Sequence, residues 1–396
     1  MRFEFATATR IIFGAGTILE VAPSAAKLGS RAFVVTGRTI ERARPLLEQL
    51  NKQAIKSVTF NVPGEPTTTL AKEAVKQARQ AKSDIVISIG GGSVLDTGKV
   101  IAAMLTNSGD LEDYLEIVGH DKPLTQTAIP HIAIPTTAGT GAEVTRNAVL
   151  ISPEHHIKVS MRSPLMLPRL AVVDPELTYS MSPSLTAGTG LDALTQLIEP
   201  YVCNKANPIT DGICREGLRR AARSLQRAYE NGSSSTARED MSLASLFGGL
   251  ALANAKLGTV HGLAGPLGGM ISAPHGLICA MLLPYVMETN IQTLQIREAD
   301  SPCGELSRTT ALTRYDEIAR ILTGDVTSQS LDGVKWVKSL CTALKIPSLD
   351  EFGLKERDFP AVAAKAHTSS SMKGNPIALT DDELRKILGK AGKQIV

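Results

Sequence analysis

The 396-residue chain predicts an α/β N-terminal domain with a mainly parallel sheet over residues 1–180, followed by an all-α C-terminal domain over residues 181–396. Three observations carry this. The length exceeds what one core ordinarily serves, so two domains with a ligand-binding crevice are expected. The first half alternates short β-rich runs with amphipathic segments, the pattern of strands covered on both faces by crossover helices. Beyond residues 171–183 (AVVDPELTYSMSP) the β-branched runs thin out, and Ala- and Leu-rich stretches continue to the end, broken by Gly, Asn-Pro and Ser-rich turns.

Taken in order, residues 31–36 (RAFVVT), 57–62 (SVTFNV), 84–89 (DIVISI) and 131–134 (HIAI) read as strands, and residues 69–80 as a helix between two of them. Ligands are then expected at the carboxyl ends of the strands. In the second half, residues 248–270 are apolar and dense in Gly and Ala, yet include Lys256 and His261. That composition suits close helix packing around a buried site better than a membrane span.

Hydrophobic content of 43%, charged content of 20% and a mean hydropathy of +0.03 describe a globular chain and exclude a disordered one. The net charge is +3 with Lys and Arg interspersed among Asp and Glu, so neither nucleic acid nor a membrane is an expected partner. A small molecule is. The first ten residues carry Glu4 and no apolar core of signal-peptide length, which predicts a cytoplasmic location. Five cysteines (Cys203, Cys214, Cys279, Cys303 and Cys341), odd in number and without a CxxC pair, argue against a disulfide framework and a zinc knuckle. They read as reduced thiols that mainly pack.

Two loops suggest a nucleotide. DIVISIGGGSVLDTGK sets Gly90, Gly91, Gly92 and Ser93 between a buried strand and a helix. Backbone N–H groups can approach a pyrophosphate there, at a helix N-terminus that favours its charge. Alone, the tripeptide reads equally as a tight strand-to-helix turn. IPTTAGTGAEVT also follows a strand and supplies Thr136, Thr137, Thr140 and Thr145 as hydroxyl donors. Two such loops at one sheet edge favour a nucleotide.

The second half holds a possible metal constellation. Asp192, in TGLDALTQLIEPYV, shares a helix face with Gln196; His261 and His275 follow in HGLAGPLGGMISAPHG. One carboxylate and two imidazoles suit a divalent transition metal with positions left open for an alcohol oxygen. Each histidine taken singly reads as well as a packed or capping residue.

Together, RIIFGAG, GGGSVLD, IPTTAGTGAEVT, AVVDPELT, GLDALTQLIE, LGTVHGLAGPLGG, PHG and the late GNP resemble the iron-containing (group III) alcohol dehydrogenase family, related to glycerol dehydrogenase and dehydroquinate synthase. The resemblance spans nearly the whole chain. It implies a dehydroquinate synthase-like fold, NADP or NAD, a divalent metal (Fe or Zn) in the cleft, and a homodimer. It also implies interconversion of alcohols and aldehydes by metal-assisted hydride transfer at the nicotinamide, with catalysis centred on Asp192, His261 and His275. By the same resemblance Gly91, Gly92 and Ser93 meet the pyrophosphate, Thr136, Thr137 and Thr145 the nucleotide, and Lys158 the ribose side. Gly90, Asp96, Thr140 and Leu177 complete the cofactor set, and Asp192, His261 and His275 are metal ligands.

Three positions depart from the pattern. Gln196 stands where the family usually has histidine, and a neutral amide oxygen is a weaker ligand, so the resemblance implies a three-ligand site, as in the zinc-using glycerol dehydrogenase branch, or one empty as isolated, with Gln196 as a weak fourth ligand or a substrate hydrogen-bonder. Gly265 stands where many members carry a second histidine, leaving any proton relay to water, the ribose or another side chain. Gly37 stands where NAD-preferring relatives carry an aspartate. Its neighbour Arg38 is a candidate 2′-phosphate partner, or a solvated charge, and the pair leans to NADP(H). Leu252 and Leu257 predict an apolar lining that favours short to medium primary alcohols and aldehydes. The competing readings are a metal-independent reductase of the same fold, similar to maleylacetate reductase, and a catalytically silent nucleotide-binding homologue.

Overall fold

The apolar runs of the first half fold as strands of one twisted layer, in a computed structural model whose described residues are 2–155, 157–297 and 307–394. Cys303 lies outside them. The strands are β1 (Ile11–Phe13), β2 (Arg31–Thr36), β3 (Lys56–Asn61), β4 (Ile85–Gly90), β5 (His131–Pro135), β6 (Asn147–Ser152), β7 (Ile157–Arg162) and β8 (Leu170–Val173). Helices α1 (Val21–Ala25), α2 (Arg44–Lys52), α3 (Thr68–Gln80) and α4 (Gly92–Met104) lie between the earlier strands. The four strands and the helix read from the sequence are all present, within one residue at each end.

Six strands form a sheet in the order β1-β8-β5-β4-β2-β3, every pair parallel. Alternate side chains feed two cores. Val34, Ile85, Ile87, Ile132 and Ile134 pack with α1 and α2 on one face, while Phe33, Val35 and Val86 pack with α3 and α4 on the other. Complete burial of each such side chain contributes about 1.5–3 kcal/mol. From β2 the chain crosses to β3 on one side, and from β4 to β5 on the other. The carboxyl ends of β2 and β4 therefore flank a topological switch point, where parallel sheets bind ligands. β6 and β7 form a separate antiparallel hairpin, an element absent from the strand reading above.

The remaining helices are α5 (Pro183–Val202), α6 (Pro208–Glu230), α7 (Ser235–Asn254), α8 (Thr259–Met270), α9 (His275–Ile296), α10 (Arg308–Thr323), α11 (Ser330–Ala343), α12 (Phe359–Thr368) and α13 (Asp381–Ala391). The chain separates into an α/β unit, Ala6–Thr137 with Gly141–Tyr179, and a helical unit, Ser180–Val396, which also takes in Ala138–Thr140 and a short N-terminal stretch. The apolar stretch 248–270 is the end of α7 and all of α8, bent at 97°. Helix α9 has the length and apolar composition of a membrane span, but 83% of its apolar window is buried inside the chain, as in a core helix.

Candidate active site

In the α/β unit the glycine turn grows out of the sheet register. Gly90 of β4 pairs with Pro135 of β5, and the Thr136 N–H donates to the Gly90 carbonyl at 2.9 Å. The GGGS and PTT loops therefore leave adjacent strands side by side. Gly91 caps α4, Gly92 and Ser93 form its first turn, and all three are partly exposed. The first-turn amides of a 13-residue helix have no carbonyl partner within it and favour an anion. Gly91 is close enough to Thr137 that a Cβ there would meet its side chain at 3.5 Å.

Other cofactor candidates are engaged internally. The Thr145 hydroxyl is buried, accepts from Lys99 Nζ at 2.8 Å and donates to the Ala142 carbonyl. Asp96 accepts from the Val149 N–H at 3.0 Å and pairs with Lys99 at 2.9 Å. Lys158, on β7, pairs with Glu65 at 2.9 Å. Arg38 is exposed and donates to the Pro63 carbonyl at 3.1 and 3.2 Å, while the carbonyl of Gly37 accepts from Asn61. Leu177 packs at the margin of the core under α1 and α2. Thr140 belongs to the three residues that group with the helical unit.

In the helical unit the separated metal candidates converge. Ser182 caps α5 by accepting from the Leu185 N–H, and Pro183 starts it. The helix then brings Asp192, Gln196 and Glu199 onto one face by their i, i+4, i+7 spacing. His261 is the third residue of α8, and His275 the first of α9. His261 Nε2 lies 3.3 Å and His275 Nε2 4.0 Å from Asp192 Oδ1, and the two imidazole centroids are 5.5 Å apart. A fourth donor, Cys279, stands one turn along α9 from His275; its Sγ is 3.7 Å from His275 Nε2 and 3.9 Å from His261 Nε2. One donor atom from each of Asp192, His261, His275 and Cys279 lies within 4.8 Å of every other. Cys279 thus does more than pack, whereas Cys203, Cys214 and Cys341 are buried free thiols outside this cluster.

Two features hold the cluster. Glu199 accepts from the His261 Nδ1–H at 2.7 Å and, with its other oxygen, from the Val260 N–H at 2.6 Å, capping the first turn of α8. Gly258 permits this approach, since a Cβ there would meet Glu199 Oε1 at 3.0 Å. Asn375, from the GNP motif, accepts from the neighbouring Thr259 N–H at 3.2 Å and exchanges hydrogen bonds with Asn290 of α9. Gly276 lets α9 touch the backbone of α5, because a Cβ would lie 2.5 Å from the Gly188 carbonyl oxygen.

The groups set one another's protonation. Burial alone would raise the Asp192 carboxyl, yet His261, His275 and Gln196 hold it below the ordinary value. Burial likewise opposes charge on Cys279, but the two imidazoles hold its thiol down. His275 is raised, chiefly by Cys279, and His261 is raised despite its burial by Cys279, Asp192 and Glu199. A cation is favoured among these groups. Among the described residues around this cluster, the buried oxygens Asp192 Oδ1 and Gln196 Oε1 lack a hydrogen-bond partner. An unpartnered buried carboxylate oxygen facing two imidazoles and a thiol fits a divalent transition metal.

Comparison with known proteins decides the family. Residues 8–175 match the family described as Iron-containing alcohol dehydrogenase, and residues 186–392 that described as Fe-containing alcohol dehydrogenase family, C-terminal. The chain belongs to the iron-containing alcohol dehydrogenase family. It is 35% identical over 387 residues to alcohol dehydrogenase 4 of Saccharomyces cerevisiae, covering 96% of each chain. It is 33% identical to 1,3-propanediol dehydrogenase of Klebsiella pneumoniae, covering 98% of each. The fold is shared with the solved structure of an alcohol dehydrogenase from Oenococcus oeni at a TM-score of 0.89 and 33% identity, covering 98% of this chain and 100% of that one. As an iron-containing alcohol dehydrogenase family member, the chain is an oxidoreductase acting on alcohols and aldehydes.

Two residues of this family member's candidate site escaped the sequence reading. Glu199 follows Gln196 by three positions and Cys279 follows His275 by four, so helical spacing from residues already chosen would have found both.

Proposed function

We propose that the chain is a metal-dependent alcohol dehydrogenase or aldehyde reductase that prefers NADP(H) and short to medium primary alcohols and aldehydes. The observation that carries the reading is the convergence of Asp192, His261 and His275, from three helices, on one unpartnered carboxylate oxygen. These three residues would hold the metal. When bound, the nicotinamide supplies or takes up hydride and the metal supplies Lewis-acid polarisation of the alcohol or carbonyl oxygen.

The chain's own groups do the rest. Asp192 contributes the negative charge of the cluster. Glu199 holds the His261 ring with its Nδ1 proton spoken for, so that Nε2 faces Asp192 and Cys279. The first-turn amides of α4 take a pyrophosphate, with Thr136 and Thr137 beside them. The NADP(H) preference rests on Gly37, which removes a repelling carboxylate, and on Arg38 next to it. A homodimer in the cytoplasm is part of the same proposal and rests on the family resemblance and the sequence.

The test is turnover of an aldehyde panel with NADPH and with NADH, before and after exhaustive chelation. Faster turnover with NADPH, lost on chelation and restored by zinc or iron(II), is expected. Turnover that survives metal removal would favour the metal-independent reductase, the reading that Gln196 supports. Nucleotide binding with no turnover on any aldehyde would favour a silent homologue.

A further inference from the structure

The geometry points to Cys279 as a fourth protein ligand, making a carboxylate, two-imidazole, thiolate set that selects zinc over iron(II). This rests on the metal site proposed above and specifies its donors and its ion.

A tetrahedral zinc with ordinary bond lengths to oxygen, nitrogen and sulfur places neighbouring donors about 3.3–3.6 Å apart. The corresponding separations here are 3.3 Å for His261 to Asp192, 3.7 Å for Cys279 to His275, 3.9 Å for Cys279 to His261 and 4.0 Å for His275 to Asp192. Four of the six donor separations thus approach tetrahedral spacing and the other two lie within 4.8 Å, and an alcohol or carbonyl oxygen would enter as a fifth donor. Asp192 and Cys279 are both buried, and the Asp192 oxygen that faces the histidines has no hydrogen-bond partner.

Chemistry separates Cys279 from Gln196 as the fourth donor. A thiolate is anionic and soft, while an amide oxygen is neutral and hard; the thiolate therefore favours zinc and the amide contributes little. On binding, the thiol proton leaves to solvent and the sulfur–metal bond forms. Gln196, packed against Gly248 with its Oε1 unpartnered, is left available to a substrate hydroxyl.

Cobalt(II) replaces zinc and reports its ligands by colour. The full-length protein, stripped and reloaded with cobalt(II), is expected to show a sulfur-to-metal charge-transfer band in the near ultraviolet. Cys279→Ser is expected to bind cobalt without the band and to weaken zinc binding more than about tenfold, whereas Gln196→Ala keeps the band. In competition, the parent is expected to take zinc over iron(II), and Cys279→Ser to lose much of that preference. Should Cys279→Ser fold poorly by circular dichroism, the parent spectrum still decides. Cobalt bound without the band overturns Cys279 as a ligand and leaves the metal site standing; no cobalt bound at all overturns the site itself and this inference with it.

Discussion

Glu199 Oε2 accepts the Nδ1–H of His261 at 2.7 Å, with both side chains buried. The bond fixes which ring nitrogen is free, because a proton held at Nδ1 leaves the Nε2 lone pair toward Asp192. It also ties the ring to α5, so the residue that orients the imidazole sits two helical turns from the carboxylate that meets it.

Glu199→Gln keeps the size and one acceptor but loses the charge. Metal affinity is expected to fall about 10- to 100-fold, as measured by titration against a competing chelator. Unchanged affinity would mean that the carboxylate serves only the first turn of α8.

Gly276→Ala drives a methyl group against the Gly188 carbonyl oxygen, which an ideal Cβ would approach to 2.5 Å. Helices α5 and α9 must separate, with an expected cost of about 1–3 kcal/mol in chemical denaturation and weaker metal binding. A neutral effect on both would show that the contact relaxes without moving His275.

Gly37→Asp tests the cofactor preference. A Cβ at this position meets Val94 only at an ordinary 3.8 Å, so a side chain has room. The KM for NADPH is expected to rise about tenfold or more, and that for NADH to fall. Equal changes for the two cofactors would remove Gly37 from the specificity argument.

Glu143 makes stability depend on pH. Burial pushes its carboxyl up from 4.5 to about 7, with the nearby Lys99 opposing the shift. The folded chain therefore holds this proton more tightly than the unfolded one. The contribution is complete at pH values below the ordinary 4.5 and is lost as pH rises through about 7. Glu143→Gln is expected to gain up to about 3 kcal/mol relative to the parent near pH 8 and almost nothing near pH 4. The same difference at both pH values would contradict this.

Most of the fold was legible because short buried β-rich runs and strand-to-helix glycine turns are local signals. The hairpin of β6 and β7 was not read, although Ile157–Arg162 alternates apolar and polar residues, because it stands apart from the parallel sheet and its alternating pattern differs from the buried runs of the other strands. At the site, Asp192, His261 and His275 are distant in sequence, and it was the family pattern that joined them. Cys279 was passed over because a cysteine without a CxxC partner reads as packing until a helix turns it toward two histidines. Thr145 adds a contact that composition does not reveal: its hydroxyl accepts from Lys99, a buried lysine of α4.

The most direct test is the metal content of the protein as purified, compared with Asp192→Ala and His261→Ala. About one ion per chain in the parent, lost in both variants together with aldehyde reduction, is predicted. A metal-free parent that reduces aldehydes at full rate, or variants that retain their ion, would contradict the account.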